Sequence, residues 1–419
     1  MAMIRPETEM KDTGIEWIGN IPSSWVCCKQ KYVISLINGR AFKDTEFEED
    51  GKYRILRVGN FFSNPKWYSS NLELEDDKYC DNGDLLYAWS MSYGPYIWNG
   101  EKVIYHYHIW KAKLLNNLSK RFAYYYLIAL SDSIKSDVHE TTMSFITMKS
   151  MNNSYIAFPE DIFEQQAIAD YLDETCSKID EIIAEAKASI DEYKELKQSV
   201  IFEAVTKGLD KNVEMKQCSV NWLDEIPSTW ESIRLKYLLT EINNRSETGT
   251  EQPLSVSQVM GVVPSYMIAV ANPTASYVGQ KIVEPNDIVF NKLKAHLGVF
   301  FMSKYHGLVS PDYAVYRTND KVIPKYLEYL FHTSACISEF KKYISGVAEG
   351  LMRLYTSDLF NIRICLPKVD EQIKIVEYVE NKVELFDSLI SEKESLINDL
   401  EAYKKSLIYE VVTGKRRVV

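Results

Sequence analysis

Glu16–Trp25 reads EWIGNIPSSW and Asn221–Trp230 reads NWLDEIPSTW, two near-copies about 205 residues apart. Trp17, Ile21, Pro22, Ser23 and Trp25 align with Trp222, Ile226, Pro227, Ser228 and Trp230, and Lys31-Tyr32 aligns with Lys236-Tyr237. The register returns late in each half, where Ile168–Leu172 (IADYL) matches Ile375–Val379 (IVEYV) and EAVT ending at Thr206 matches EVVT ending at Thr413. Solenoid repeats run roughly 20–50 residues, so a period this long means two tandem copies of one compound unit. Two similar surfaces can then meet one extended partner.

The 419 residues suffice for two or three domains, each with its own core. A hydrophobic share of 46% and a charged share of 26% suit a globular chain. No run reaches the ~18 apolar residues of a membrane span, and MAMIRPETEMKD lacks the apolar stretch of a signal peptide. The expected compartment is the cytoplasm. Seven scattered cysteines without a C-x-x-C pair suit free thiols in a reducing environment.

The net charge of −11 is unevenly spread. Residues 160–211 carry 14 acidic and 6 basic side chains, and residues 368–419 carry 11 and 9. Residues 1–159 hold 18 basic against 19 acidic, and residues 212–367 hold 15 of each. The excess negative charge thus falls in two segments, leaving the other two free to present local basic faces.

Both acidic segments show heptad-like spacing, which predicts a coiled-coil seam. The first seam runs through Leu172, Ile179, Ile182, Tyr193 and Leu196, and the second through Val379, Phe386, Leu389, Leu400 and Leu407. Pro159 and Pro367 stand upstream, and Gly208 and Gly414 close the segments as caps. A lone amphipathic helix cannot bury its stripe, so the two are expected to pair as a rod of roughly 60 Å. The expected division is 1–159, 160–211, 212–367 and 368–419. The fold class is α+β: two tandem mixed α/β domains joined by two long helices that pair as a coiled coil.

The globular parts carry short β-rich runs at Tyr53–Val58, Leu85–Trp89, Val103–Trp110 (VIYHYHIW), Leu254–Val256, Asp287–Phe290, Val299–Met302 and Tyr313–Arg317. Helical patches follow at Phe122–Leu130 and Lys325–His332.

Catalytic signals are sparse. There is no G-x-G-x-x-G after a strand, no G-x-x-x-x-G-K-[ST] and no G-x-S-x-G. His106 and His108 alternate within VIYHYHIW, which would put both on one face of a strand, but no Cys or acid stands at metal spacing. No metal is expected. Asn64–Trp67 (NPKW) and Ser310–Tyr313 (SPDY) resemble the [DNS]-P-P-[YFW] loop of adenine-amine methyltransferases, yet each puts a charged residue in place of the second proline, and no glycine-rich loop precedes either.

There remain polar, aromatic and basic residues on loops between strands, the types that clamp phosphates or read base edges. In the first half these DNA-binding candidates are Arg40, Lys43, Arg54, Arg57, Asn60, Trp89, Ser90 and Tyr93. In the second they are Arg245, Ser257, Gln258, Lys292, Lys294, His296 and Arg353.

The whole pattern resembles the specificity subunits of type I restriction–modification systems. The resemblance rests on WIG-x-IP-x-x-W and WL-x-x-IP-x-x-W, on Gly83-Asp84-Leu85-Leu86 and Asn286-Asp287-Ile288-Val289, and on LSVSQ-x-x-GVVP from Leu254. Its most telling part is the proline, Glu-Gln, long-helix module of Phe158–Asp180 and Leu366–Asp387. The resemblance implies two target-recognition domains, each reading one half of a split, asymmetric DNA site, with the two helices pairing as an antiparallel coiled coil that acts as spacer and docking site. The implied partners are double-stranded DNA, modification subunits that bind S-adenosylmethionine and methylate adenine, and restriction subunits that use ATP and Mg. The chain itself would hold no cofactor and catalyse nothing. Two rivals stand beside this reading: a self-contained adenine methyltransferase, which would bind S-adenosylmethionine alone, and a coiled-coil scaffold without a DNA role. The first half's Trp89–Tyr93 loop (WSMSY) and the second half's Asn291–Ala295 loop (NKLKA) differ in composition, so the two half-sites should differ in sequence.

Overall fold

The architecture follows from where each half-sequence finds cover for its apolar face. The computed structural model describes residues 3–62, 64–90, 93–136, 146–220, 222–268, 276–344 and 353–418. Asn221 of the second opening motif lies outside them. The chain forms two units, Met1–Lys187 with Glu394–Val419, and Ala188–Lys393. The boundary falls inside the two long helices, the central helix Ile162–Lys207 and the C-terminal helix Val369–Val412. Each unit therefore holds one globular part and a share of both helices.

In the first unit, Val26–Lys29 pairs antiparallel with Tyr155–Phe158. Two four-stranded sheets follow. One is fully antiparallel, in the order Gly94–Ile97, Leu85–Ala88, Ile109–Leu114, Ile34–Asn38. The other runs Tyr68–Ser70, Tyr53–Leu56, Val103–Tyr105, Tyr79–Cys80, with Val103–Tyr105 parallel to Tyr53–Leu56. The helix Lys120–Ser136 buries Phe122, Tyr126 and Leu127.

The run VIYHYHIW is therefore not one strand. It supplies a strand to each sheet, and the chain turns at His106–His108, where the Ile109 N–H donates to the His106 carbonyl (2.9 Å). Both flanks are apolar because both sheets are buried, and a continuous apolar pattern cannot show the break.

The second unit pairs Glu231–Arg234 with Arg363–Leu366 and builds an antiparallel sheet in the order Leu239–Ile242, Ala314–Thr318, Ile288–Phe290, Phe300–Met302. The hairpin Leu254–Ser257/Gly261–Pro264 and the pair Lys281–Val283/Gly307–Val309 stand beside it. Helices Pro324–Phe331 and Ser334–Lys342 cover a core centred on Phe290, Phe300, Tyr316, Tyr326, Phe331 and Phe340. The expected short strands of this half lie within a residue or two of those observed.

The repeated motifs have one structural meaning in both units. Gly83 (φ 86°) and Asn286 (φ 75°) take the left-handed backbone that glycine and asparagine tolerate best. This lets Asp84 accept from the Asp81 N–H (2.8 Å) and the Lys111 ammonium (2.6 Å). Asp287 likewise accepts from the Glu284 N–H (2.9 Å) and holds Arg317 with both oxygens (2.7 and 2.9 Å).

The glutamate of the Glu-Gln module accepts from a motif tryptophan. Trp25 Nε1 donates to Glu164 and Trp230 Nε1 to Glu371, both at 3.1 Å. The glutamine beside it is buried and stitches loops together. Gln165 bonds the Pro159 carbonyl and the Ser119 N–H, and Gln372 bonds the Pro367 and Lys321 carbonyls and the Ile323 N–H. The start of each long helix is thus fixed to the start of a short one. The far helix ends sit on the same tryptophans. Gly208 approaches Trp230 and Pro227, and Gly414 lies so close to Pro22 and Trp25 that an added Cβ would collide with the proline ring.

The long helices pair antiparallel within each unit. Asp180 meets Lys404 (2.6 Å) in the first, and Lys197 meets Asp387 (2.6 Å) beside the Tyr193–Phe386 ring contact in the second. The seam differs from expectation at two positions. Ile182 is 45% exposed and Leu196 51% exposed, while Ile183 and Ile190 are buried and Lys197 turns its stem inward. Leu172, Ile179, Val379 and Leu407 are buried as expected, and Tyr193, Phe386, Leu389 and Leu400 are half-buried. The steps alternate four then three from Leu172 through Cys176, Ile179, Ile183, Ala186 and Ile190, so Ile179 keeps its place while the intervening seam positions fall one residue later than expected.

Ile183→Asp should cost about 3 kcal/mol or more, since it buries an unpaired carboxylate. Ile182→Asp should stay within about 0.5 kcal/mol, as exposed substitutions do. Urea unfolding of the two variants tests the register, and equal effects would refute it.

Candidate nucleic-acid interface

In the first unit the candidate residues gather around the His106–His108 turn. The Arg40 backbone pairs with this turn, its N–H donating to the Tyr105 carbonyl and its carbonyl accepting from Tyr107. Its guanidinium is held by both oxygens of Glu46 (3.0 and 2.6 Å), which keeps that carboxylate down at about 2. Arg40 is thus pinned, whereas Lys43 beside it is exposed. Arg54 lies over Trp67 (5.6 Å) and pairs with Glu101 (3.3 Å). Arg57 is exposed and lies over the Tyr68 ring (5.1 Å), which Lys66 also approaches (4.9 Å). Together these cations draw the Tyr68 hydroxyl below its ordinary range, Lys66 contributing most. Asn60 turns inward, accepting from the Arg57 N–H and donating to the Lys66 carbonyl. This spends both ends of its amide on the loop.

Trp89 donates to the Tyr107 carbonyl (2.7 Å), stacks on Trp110 and meets His108 edge-on (5.1 Å). Ser90 is buried in the bend that follows the strand Leu85–Ala88, which takes it off the exposed face and corrects its expected role as a contact. Tyr93 is half-buried, and Met91 and Ser92 lie outside the described residues.

Burial, His108 and Arg57 together push His106 down to about 4, and burial with Arg57 lowers His108 as well. Both rings are neutral at pH 7, when each can both donate and accept.

In the second unit, Asn291 folds its side chain back onto the Leu293 and Lys294 N–H groups. This shapes the loop that carries Lys292, Lys294 and His296. Lys294 is exposed, and His296 and Arg353 are half-buried. Gln258 reaches this loop through the Leu297 carbonyl (3.3 Å), and the Leu354 N–H bonds the Lys292 carbonyl (3.1 Å), which sets Arg353 alongside. The Ser257 hydroxyl accepts from the Val259 and Met260 N–H groups, holding out a tip where Val259 is 93% exposed.

Lys292 and Lys281 both approach Glu241 (3.9 and 3.8 Å), and Arg245 bridges to Lys281 through the backbone. Lys281 is buried, bonds the Tyr313 carbonyl (2.8 Å), and has its pKa lowered by burial, then by Lys292 and Arg245. It stands under the basic face as a fixed post.

Sequence reasoning missed His106, Tyr107, His108, Lys66 and Lys281. The first three stand out as polar rings in an otherwise apolar run, and metal spacing draws notice only to the two histidines. The two methyltransferase-like tetrapeptides are local turns: Asn64 accepts from the Lys66 N–H, and the Tyr313 N–H donates to the Ser310 carbonyl. Among the described residues no group of three or more His, Cys, Asp or Glu could hold a metal ion. No described helix is long and apolar enough to cross a membrane.

Comparison with known proteins places these features in a family. The model described as type I restriction modification DNA specificity domain matches residues 22–192 and again 227–401. The chain is 20% identical to the EcoBI specificity subunit of Escherichia coli, over 97% of this chain and 89% of that one. It is 24% identical to the MjaVIII specificity subunit of Methanocaldococcus jannaschii, over 81% and 80%. A solved chain from a study of complex assembly and conformational transition in a type I R-M system superposes with a TM-score of 0.71 at 14% identity, covering 94% of this chain and 99% of that one.

Between pH about 6.5 and about 4 an unfolded chain protonates His106 while the folded one does not. Stability should therefore fall as pH drops through that window. His106→Gln should flatten the dependence of the unfolding midpoint on pH there, and an unchanged slope would count against the assigned burial.

Proposed function

This chain belongs to the type I restriction–modification DNA specificity family, and we propose that its two units read the two halves of a bipartite, asymmetric DNA sequence. It is the specificity subunit of such a system, with two recognition domains. The observation that carries the finer reading is a contrast between the units. Their frames coincide residue for residue at Trp25/Trp230, Glu164/Glu371, Gln165/Gln372 and Asp84/Asp287. Their candidate faces do not. The first gathers Trp89, Tyr107 and two neutral histidines beside Arg57, and the second gathers Lys292, Lys294, Gln258 and Arg353. Selection on one shared ligand surface would have kept the faces alike.

Arg57, Lys66, Lys43 and Lys294 are suited to phosphates, and Gln258, His106 and His108 to base edges. Arg40 and Asn60, spent within their own loops, act by shaping them, and Arg54 is shared with Glu101 on a neighbouring segment. The paired helices serve as the spacer between half-sites and as the docking site for modification and restriction subunits. The chain contributes no catalytic group. S-adenosylmethionine belongs to the modification subunit, and ATP with Mg to the restriction subunit. The complex works in the cytoplasm.

Replacing residues 1–159 by those of a relative should change one half-site in a selection from random duplexes, with modification subunit present, and leave the other half-site and the spacer unchanged. A change in both halves, or no enriched duplex at all, would refute the division of labour. Arg57→Ala should weaken binding about equally across sequences and reduce the slope of log K against log salt by about 1, as loss of one phosphate contact does. An unaltered salt slope would remove Arg57 from the interface.

A further inference from the structure

The two units also differ at a place outside their candidate DNA faces. In the second unit, the last turns of the central helix, the connector Gly208–Val213 and the hairpin Met215–Gln217/Glu225–Pro227 surround an open groove of about 1010 Å³. Tyr378 of the C-terminal helix lines it too. Its walls include Phe202, Glu203, Leu209 and Trp222.

The repeat assigns each wall a counterpart in the first unit, Tyr409 for Phe202, Glu410 for Glu203, Trp17 for Trp222 and Tyr171 for Tyr378. There the corresponding space is filled. Lys415 lies over the Tyr409 ring (4.1 Å) and donates to the Tyr409 hydroxyl and the Ile18 carbonyl. Arg416 pairs with Glu410 (2.7 Å), near enough to Tyr171 to feel its hydroxyl. In the second unit the chain past the helix reads Leu209-Asp210 where the first reads Lys415-Arg416. Counted from the glycine that ends each helix, Asp210 thus stands where Arg416 neutralises Glu410, and Lys207 is an added residue before Gly208 that lines the groove with Lys211. Glu203 and Asp210 are exposed, as are Asp224 and Glu225 on the hairpin.

We propose that this groove takes a segment of another polypeptide carrying adjacent Lys and Arg side chains, seated as Lys415 and Arg416 are seated in the first unit. An ammonium would lie over the Phe202 ring and a guanidinium would pair with Glu203 against Tyr378, contacts that an aromatic face and a carboxylate supply. The carboxylate excess makes nucleic acid the wrong occupant. The inference does not depend on the reading of the DNA site, and its test does not use DNA.

The probe is a fluorescently labelled heptapeptide with the sequence of residues 413–419 (TGKRRVV), titrated with the full chain and followed by anisotropy. Saturable binding is expected, weakened at least tenfold by Glu203→Lys and by Tyr378→Ser and left unchanged by Glu214→Lys. Helical circular dichroism confirms that the variants fold. Equal affinity in the Glu203→Lys and Tyr378→Ser proteins, or no saturation at millimolar chain, would overturn the proposal. A concentration-dependent dimer that disappears when residues 415–419 are deleted would also overturn it, because the occupant would then be a second copy of this chain.

Discussion

The contact on which the rest depends is the hydrogen bond from a tryptophan indole to the glutamate in the first turn of a long helix. Trp25 and Trp230 are among the largest fully buried side chains, and an indole N–H placed in a core needs a partner. Glu164 and Glu371 supply it. The same tryptophan seats the glycine that ends the other long helix of its unit, Gly414 at Trp25 and Gly208 at Trp230. One side chain thus receives the beginning of one helix and the end of the other. That fixes which way the two helices run, and glycine follows each one because the chain there takes the left-handed backbone (φ 78° at Gly208, 73° at Gly414), with an added collision against Pro22 at Gly414.

Much of this was legible in the sequence because it repeats. Trp-x-x-x-Ile-Pro-x-x-Trp, Glu-Gln and Gly/Asn-Asp recur at nearly constant separation, and each recurrence marks a place where backbone geometry or a buried polar group leaves little choice. The seam was legible in kind but not in register. Ile182 and Ile183 are neighbours of the same type, and only the packing of Cys176 and Ile190 decides between them. The turn in VIYHYHIW was not legible, since burial of two sheets gives the same apolar run as one long strand.

The candidate faces were the least legible part, for a physical reason. A solvent-facing arginine looks the same in sequence whether it is extended or tied down. The structure separates the two: Arg40 is held by both oxygens of Glu46, and Arg54 and Arg57 stand exposed over Trp67 and Tyr68. Lys281 shows the converse, a charged residue that works from beneath the surface by holding a carbonyl and facing Glu241.

Residues Met3–Ile4 pair antiparallel with Arg416–Arg417, and the Arg5 N–H bonds the Lys415 carbonyl. The path that leaves the first globular part by the central helix, crosses the second and comes back by the C-terminal helix therefore closes on its own starting strand. Within the first unit the joint between helix end and opening strand is held by hydrogen bonds alone, and the connector after Gly208 is its covalent counterpart in the second.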